Sequence, residues 1–431
     1  MLRFDEDYSC LTNQANRTDL FDPVKYIPLR KDDPSWYLSF GGELRERVEG
    51  NYDPNFGIGG LGSDSYLLQR ITLSADVHLG ERVRFFVEGI SGIVEGESHT
   101  PPPIQQDPGD LQFAFVDVVP WLTEVQRLTL RVGRFGMSLG AGRLVATRAA
   151  PNIPFRFQGI ELLYSRPGWD LTGFVTQPVK DSGGISSADH STTFWGLYAT
   201  HYFDAARTTG LDVYYLGIHN DHTTYASGTA DEHRHSLGAR EFGIWKRWDW
   251  DAEQVIQFGS FGNDSILAWT AAINAGYSWD APFQPRLGIK TGIASGDNDP
   301  NNGRHETFDP LFFKSGYFND ASLIRPSNII GVHPNLTLQL SKSISVDGGA
   351  DWFWRYSRHD AVYGVPGRIS IPALSNAASY IGTALDVNLN WQIQRHISFQ
   401  ASYVHFLTGD YVHQAGGKDV NYFSTTLTFL F

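Results

Sequence analysis

The chain has 431 residues, a formal net charge of -13 and a mean hydropathy of -0.27, values that a soluble protein of two or three domains would share. No run of roughly eighteen apolar residues occurs, which excludes a membrane protein built from helices but not a membrane barrel, whose alternating strands keep hydropathy near neutral. The single cysteine, Cys10, excludes an internal disulfide and a thiolate-rich zinc site, and aromatic residues at 14% with 44 glycines fit an all-β chain.

Residues 1–35 are polar, alternate poorly and hold Pro23, Pro28 and Pro34, so they cannot form a central strand. They are expected to precede the strand array as a separate segment at its periplasmic mouth, able to dip inside. Met1 is followed by neither a basic n-region nor an apolar h-region, so an export leader is expected to have been removed.

From Trp36 the sequence reads WYLSFGGELRERVEG. Leu38, Phe40, Gly42, Leu44 and Val48 fall on one face of an extended strand and Glu43, Arg45, Arg47 and Glu49 on the other, with Glu46 interrupting the apolar side. A soluble sandwich strand usually ends after about six residues; this run is longer. The pattern recurs in LLQRITLSADVHL, with Ile71, Leu73, Ala75 and Val77 against Arg70, Thr72, Ser74, Asp76 and His78. It returns in RLTLRVG, where Arg131 opposes Leu130 and Val132, and in PRLGIKTGIAS, where Arg286 and Lys290 oppose Leu287 and Ile289. In ISVDGGADWFWRY, Asp347, Asp351, Phe353 and Arg355 oppose Val346, Trp352 and Trp354, and YIGTALDVNLNWQI sets Asp386, Asn388 and Asn390 against Leu385, Val387 and Leu389. Segment 111–118 is ambiguous, because Phe113, Phe115 and Asp117 share a face.

Short links such as LGER, SRPG, DAPFQ and QRH alternate with long stretches rich in Gly, Asp, Asn and Pro, at 51–65, 93–110, 135–156, 296–333, 357–378 and 409–419. Short turns on one rim and long loops on the other is the asymmetry of outer-membrane barrels, with short turns periplasmic and long loops extracellular. The strands between the links number about eighteen, an even number, as such barrels require. The expected fold is therefore an all-β transmembrane antiparallel barrel over 36–431.

Arg45, Arg47, Arg70, Arg131, Arg240, Arg286, Lys290 and Arg355 fall on the inferred inner face, together with Glu43 and Asp351. There they can concentrate anions in a water-filled lumen. The competing role is bracing, through pairs with acids such as Glu49, Asp76, Glu88, Glu253 and Asp347. The 135–156 link follows the fifth strand, where many porins fold a loop inward. With Arg134, Arg143, Arg148 and Arg156 and little acid, it is expected to form the constriction; an exposed basic loop binding lipopolysaccharide is the alternative.

Asp297, Asp299 and Asn301 in DNDPNNG begin like a calcium loop, but the glycine comes one place late and the twelfth position lacks Glu, so an Asx-turn loop is the simpler reading. His219, His222, His233 and His235 cluster across one apparent loop with nothing to fix their spacing, which argues against a metal site. Ser402 and His405 are the nearest approach to a hydrolase pair, yet they lie on opposite faces of a strand. The chain closes with NYFSTTLTFLF, ending in aromatic Phe431, the general form of the signal read by the barrel-assembly machinery.

Several blocks in order then resemble the alginate-export family of outer-membrane porins: DEDYSCL, VKYIPLR and SFGGELRERVEG near the start, LRVGRFGMSLGAGRLVATRAAPNIPFRFQGIEL in the middle, and later IASGDNDPNNGRHETFDPLFFKSGYF and DWFWRYSRHDAVYG. The resemblance spans nearly the whole chain. It implies a monomeric eighteen-stranded barrel with an arginine-rich lumen and a constriction suited to an anionic substrate. The chain departs from the family where Gly133, Arg134 and Phe135 replace a form closer to GRQ, and where Ile153, Pro154 and Phe155 stand at positions that tend to be more basic. Less positive charge there points away from polymeric alginate.

The expected function is a passive outer-membrane channel for anionic solutes, with no cofactor and no catalytic residue. Uptake of small organic acids or other nutrients is the alternative to a uronate polysaccharide, and a membrane-embedded enzyme is a distant third. Expected partners are outer-membrane lipids and lipopolysaccharide, the anionic solute and the barrel-assembly machinery; no nucleic acid is expected.

Overall fold

In the computed structural model, which describes residues 3–60, 62–365, 367–374 and 377–431, eighteen long antiparallel strands close into one barrel. Residues 366, 375 and 376 of the 357–378 link lie outside the described residues. The wall begins with β1 (Trp36–Tyr52), β2 (Asp64–Leu79), β3 (Val83–Glu95), β4 (Asp107–Leu122), β5 (Arg127–Phe135) and β6 (Phe157–Arg166). It continues with β7 (Trp169–Lys180), β8 (Thr192–Tyr202), β9 (Gly210–Tyr225), β10 (Gly228–Trp245), β11 (Trp248–Phe261) and β12 (Asp264–Ser278). The last third is β13 (Arg286–Ala294), β14 (Ile329–Gln339), β15 (Ile344–Arg355), β16 (Tyr380–Gln394), β17 (Ile397–Thr408) and β18 (Val420–Leu430).

Each strand pairs with its sequence neighbour, and β18 returns to β1 with Glu43 opposite Leu430 and Tyr52 opposite Asn421. Closure leaves no long sheet edge, so the wall's backbone N–H and C=O groups find partners within it, as a bilayer core requires. No helix among the described residues is long and apolar enough to cross a membrane.

The period of two expected from sequence sorts the wall into faces. Phe40, Leu44 and Val48 are exposed on the outside, while Arg45, Arg47 and Glu49 of the same strand are buried inside. Leu73 and Leu197 are 64% and 67% exposed, a costly arrangement in water and a favourable one against lipid tails. Glu46, the interruption on the apolar side, accepts a hydrogen bond of 2.6 Å from Gln69, so the polar pair satisfies itself at the outer face.

The turn rim is built from links as short as 167–168 and 246–247, and the loop rim carries 53–63, 96–106, 136–156, 295–328, 356–379 and 409–419. The alternation is broken at 226–227 and 262–263, where two-residue links join β9 to β10 and β11 to β12 on the loop rim. Residues before β1 form short 3-10 turns, one α-turn (Asp22–Lys25) and a two-residue strand pairing Ile27 with Leu38.

The segment reaches inside. Phe4 packs edge-on against Phe86, Phe113 and Phe115 at 5.6, 5.4 and 5.1 Å, which explains why Phe113 and Phe115 share the inner face with Asp117: they are the socket for the amino-terminal ring. Lys25 is buried below the rings of Tyr8 and Phe431, and burial, reinforced by the charge of Arg3, pushes its ammonium down to about 8.

Candidate functional site

The 136–156 link does fold into the barrel, and its course is fixed by inward side chains from both sides. On β1 and β2, Arg45 donates to the carbonyls of Ala149 and Pro151 at 2.8 and 3.2 Å, and Arg70 donates to the same two at 3.1 and 3.3 Å. Asn152, fully buried, accepts from Arg45 at 3.1 Å and donates to Gln69 and Gln105 carbonyls. On the far side Arg143 meets Asp251 at 2.5 Å and Glu253 at 3.0 Å on β11. Gly140 passes so close to Tyr198 that a Cβ would strike its hydroxyl, and its φ of 53° is one that glycine adopts at no steric cost.

A second loop shares the lumen, and sequence reasoning missed it. Residues 295–328 run inward and pair with the first loop through the Val145–Phe312 bridge, with Ala146 donating to the Phe312 carbonyl at 2.9 Å and Phe312 to that of Leu144 at 2.8 Å. The signal was present in TFDPLFFKSGYF: Phe308, Phe312 and Phe313 are too apolar for an exposed loop, and all three are buried. Arg325 pairs with Asp309, and Gln257 donates to the Asp309 carbonyl at 2.7 Å, tying this loop to the wall. The third long loop, 356–379, is held by Arg355, which donates to the carbonyls of Arg358 and Ala378 at 2.9 and 2.7 Å and lies 3.7 Å over the ring of Tyr411.

Three of the spaces left around these loops adjoin one another. At the turn rim a cavity of about 1100 Å³ is lined by Phe4, Glu6, Arg82, Arg84, Asp117 and Arg127 among others. It shares Phe4, Arg131 and Thr172 with a chamber of about 570 Å³ that also borders Glu43, Arg70, Glu88 and Ala149. Arg70 and Ala149 border in turn a cavity of about 380 Å³ lined by Arg45, Arg47, Asp320, Asp347, Asn388 and Ser402. Arg70 thus stands where the second and third spaces meet, with Arg45 and Arg47 beside it in the third.

The partners of each cation decide what it can do. Arg47 pairs with Glu49 at 2.6 Å and donates to Tyr422 at 2.6 Å, and Arg70 pairs with Glu43 at 2.6 Å. Arg45 reaches carbonyls and Asn152 and makes no ion pair among the described residues, so it alone of the three guanidiniums has no carboxylate in contact, although Asp320 and Asp347 line the same cavity. Elsewhere the inner-face cations are braces. Arg131 forks onto Asp117 at 2.8 and 2.9 Å and touches Glu161 at 3.4 Å; Arg240 joins Asp212 and Asp251 at 2.6 and 2.5 Å; Arg286 joins Asp249 at 2.5 Å. Lys290 donates to the Tyr317 carbonyl of the second loop, and Asp351 takes His333 at 2.7 Å and Asn319 at 3.3 Å.

The constriction residues differ from the sequence expectation of a bare positive ring. Arg134 ends strand β5 rather than lying on the loop, and it donates to the carbonyls of Leu111 and Ser186 at 2.9 and 2.7 Å. Arg143 is neutralised by Asp251 and Glu253, which hold its guanidinium charged against the cost of burial. Arg156 is 1% exposed and locked onto Asp110 and onto Asp181 at 2.8 Å. Arg148 alone of the four makes no ion pair with a carboxylate among the described residues; it donates to the carbonyls of Phe313 and Leu311 at 3.0 and 3.3 Å, and burial with the charge of Arg325 pushes it down to about 10. A loop's arginines were legible, but not the acids from distant strands that meet them.

Asp297 and Asp299 each accept from a backbone N–H two residues on, those of Asp299 and Asn301, both at 3.1 Å, the successive Asx turns of the simpler reading. Ser402 faces inward and donates to Asn388 at 2.7 Å while His405 meets Asn421, so they cannot act together. The histidines are not on a loop: His219 lies on β9 and His233 and His235 on β10.

With this geometry in place, the profile of the alginate-export family matches residues 36–425. No curated protein matches in sequence. The barrel is similar to Pseudomonas aeruginosa OccK2 (OpdF), solved in complex with glucuronate, at TM-score 0.61 and 11% identity over 91% of this chain and 97% of that one. It is similar to the Pseudomonas aeruginosa outer membrane protein opdK at 0.62 and 11% (91% and 98% covered), and to a BenF-like porin from Pseudomonas fluorescens Pf-5 at 0.60 and 10% (91% and 99%). At such identity these likenesses concern the fold.

Proposed function

Because the chain belongs to the alginate-export family of outer-membrane barrels, we propose that it is a passive channel whose Arg45, Arg47 and Arg70 admit small carboxylate-bearing solutes such as sugar acids. The observation that carries this reading is Arg45, a guanidinium without an ion pair among the described residues beside the third cavity, with Arg70 bordering both that cavity and the second. Walls of low dielectric focus a fixed charge into a narrow aqueous path, lowering the barrier for an anion and raising it for a cation. A guanidinium also matches a carboxylate by forked hydrogen bonds. The third cavity, at about 380 Å³, has the size of a small-molecule site.

Polymer passage is the second reading, favoured by the family match. Against it stand two loops that are bonded to each other and to opposite walls across the barrel, since a polymer would need them released together. The chain acts as a monomer with residues 3–35 at the periplasmic mouth, lipopolysaccharide against the loop rim, and a last strand, followed by Phe431, that the assembly machinery reads. The family and the lumen cavities support transport as the role. Reversal potentials in a planar bilayer under a salt gradient test the selectivity: anion preference that weakens as the Debye length shrinks from about 10 Å at 0.1 M to about 3 Å at 1 M supports it, and cation preference overturns it. Block of the ion current by glucuronate, but not by uronate oligomers, separates the small-solute reading from polymer export.

A further inference from the structure

Strands β9 and β10 form a hairpin closed by the two-residue link at 226–227 on the loop rim. Low on its outer face stand Leu211, Val213 and Leu237, exposed toward lipid. Four residues beyond Leu237 the same face turns polar. His219 and His233 are direct cross-strand partners, and their rings stack with centroids 4.1 Å apart and planes 8° from parallel. Asp231 shares their face: one carboxylate oxygen is 3.2 Å from Nε2 of His233 and the other 3.2 Å from Nε2 of His219. Asp221 places an oxygen 3.4 Å from the same His219 nitrogen. It sits in a bulge between Asn220 and Thr223, where the local register shifts and its N–H bonds the Ser191 carbonyl at 3.0 Å.

We propose that His219, His233 and Asp231 hold a divalent transition cation, with Zn²⁺ the best fit, at the outer rim, Asp221 flanking it through His219. Zinc binds imidazole nitrogen and carboxylate oxygen at about 2.0–2.2 Å in a tetrahedron, whose ligand atoms are then about 3.3–3.5 Å apart. The two contacts of 3.2 Å from Asp231 are close to that spacing. Two imidazole nitrogens with a carboxylate oxygen is a borderline donor set, one that favours zinc, nickel or copper over calcium or magnesium. The other histidine–carboxylate cluster lacks this form. His333 turns Nδ1 to Asp351 at 2.7 Å and Nε2 to Asp386 at 3.8 Å, so opposite nitrogens serve opposite carboxylates and the ring is a hydrogen-bonded bridge. At the outer site both imidazoles instead aim the same nitrogen at one carboxylate, and the strands supply the rigidity that makes such convergence useful.

The test is equilibrium dialysis of the full, untagged chain in detergent against ZnCl₂ near neutral pH, with bound metal measured directly. One zinc per chain is expected, with affinity reduced roughly tenfold or more in His219→Ala/His233→Ala. His235→Ala, whose ring bonds Tyr215 at 2.8 Å on the membrane side of the site, should bind as the parent does. Heat-modifiable gel migration reports the folded barrel, and His219→Gln replaces the double variant if that one does not fold. Failure of the parent to retain zinc, or retention unchanged in the histidine variants, would overturn the proposal.

Discussion

The lumen wall uses arginine in two ways, on opposite sides of the same loop. On β1 and β2, Arg45, Arg47 and Arg70 border open cavities, share two glutamates and present their remaining donors to backbone carbonyls. Across the barrel, Arg143 and Arg240 sit among Asp212, Asp251 and Glu253, three carboxylates for two guanidiniums, outside those cavities. One cluster keeps a guanidinium, Arg45, without an ion pair beside a cavity; the other is a closed lattice that fastens a loop. Orientation of the side chain is the same in both, so it is the partner set that separates a selectivity element from a brace.

The sharpest way to break that distinction is to remove a pure brace. Arg156→Met leaves half-buried Asp181 without its cation and buried Asp110 with only Arg134 at 3.8 Å, and loss of one partner of a buried pair costs about 3–5 kcal/mol. A lowered urea midpoint is expected with ion selectivity retained. A variant of parental stability would mean that the pair is not load-sharing in the folded barrel.

A smaller effect is expected at the amino-terminal segment. Phe4→Ala removes a ring held by three others, worth about 3 kcal/mol of docking or less because the cavity opens toward solvent. Single-channel conductance should rise as the segment leaves the mouth, and an unchanged conductance would place the narrowest point elsewhere.

Smaller again is a pH effect at Lys25. Its folded pKa, about 8, lies below the ordinary lysine value of 10.5 because burial and the charge of Arg3 disfavour the ammonium, with Glu6 opposing. Below pH 8 docked and undocked segments both hold the proton, and the cost of burying the charge is present in full. Between about 8 and 10.5 the docked form sheds its proton first, so docking should tighten as pH rises through that window. Limited proteolysis of the segment should slow over the same range in the parent, and Lys25→Met should abolish the dependence.

How much of this was legible varied with the kind of information needed. Alternation in WYLSFGGELRERVEG and its repeats was enough for the wall, because period two is local and closure follows from lipid. Arg45 and Arg70 could be assigned to the inner face for the same reason. Their contact with Ala149 and Pro151 could not, since it joins residues about a hundred positions apart in sequence through loop geometry. The apolar run at Phe308–Phe313 announced a buried loop and was passed over because its neighbours are polar. His219 and His233 were read as loop residues because polar strands that rise beyond the membrane lose the apolar alternation that identifies strands; cross-strand register, invisible in sequence, brings them together.

The distinction between the two arginine clusters is tested most directly by reversal potentials of Arg45→Gln and Arg240→Gln measured side by side in a salt gradient. A unit charge at about 4 Å in water is worth about 1 kcal/mol, or roughly a fivefold change in permeability ratio. Arg45→Gln should lower the anion preference by about that factor, because it removes a guanidinium that no carboxylate contacts among the described residues. Arg240→Gln should move the potential less, since its charge is shared by Asp212 and Asp251. Equal shifts in the two variants, or no shift in Arg45→Gln, would contradict the account.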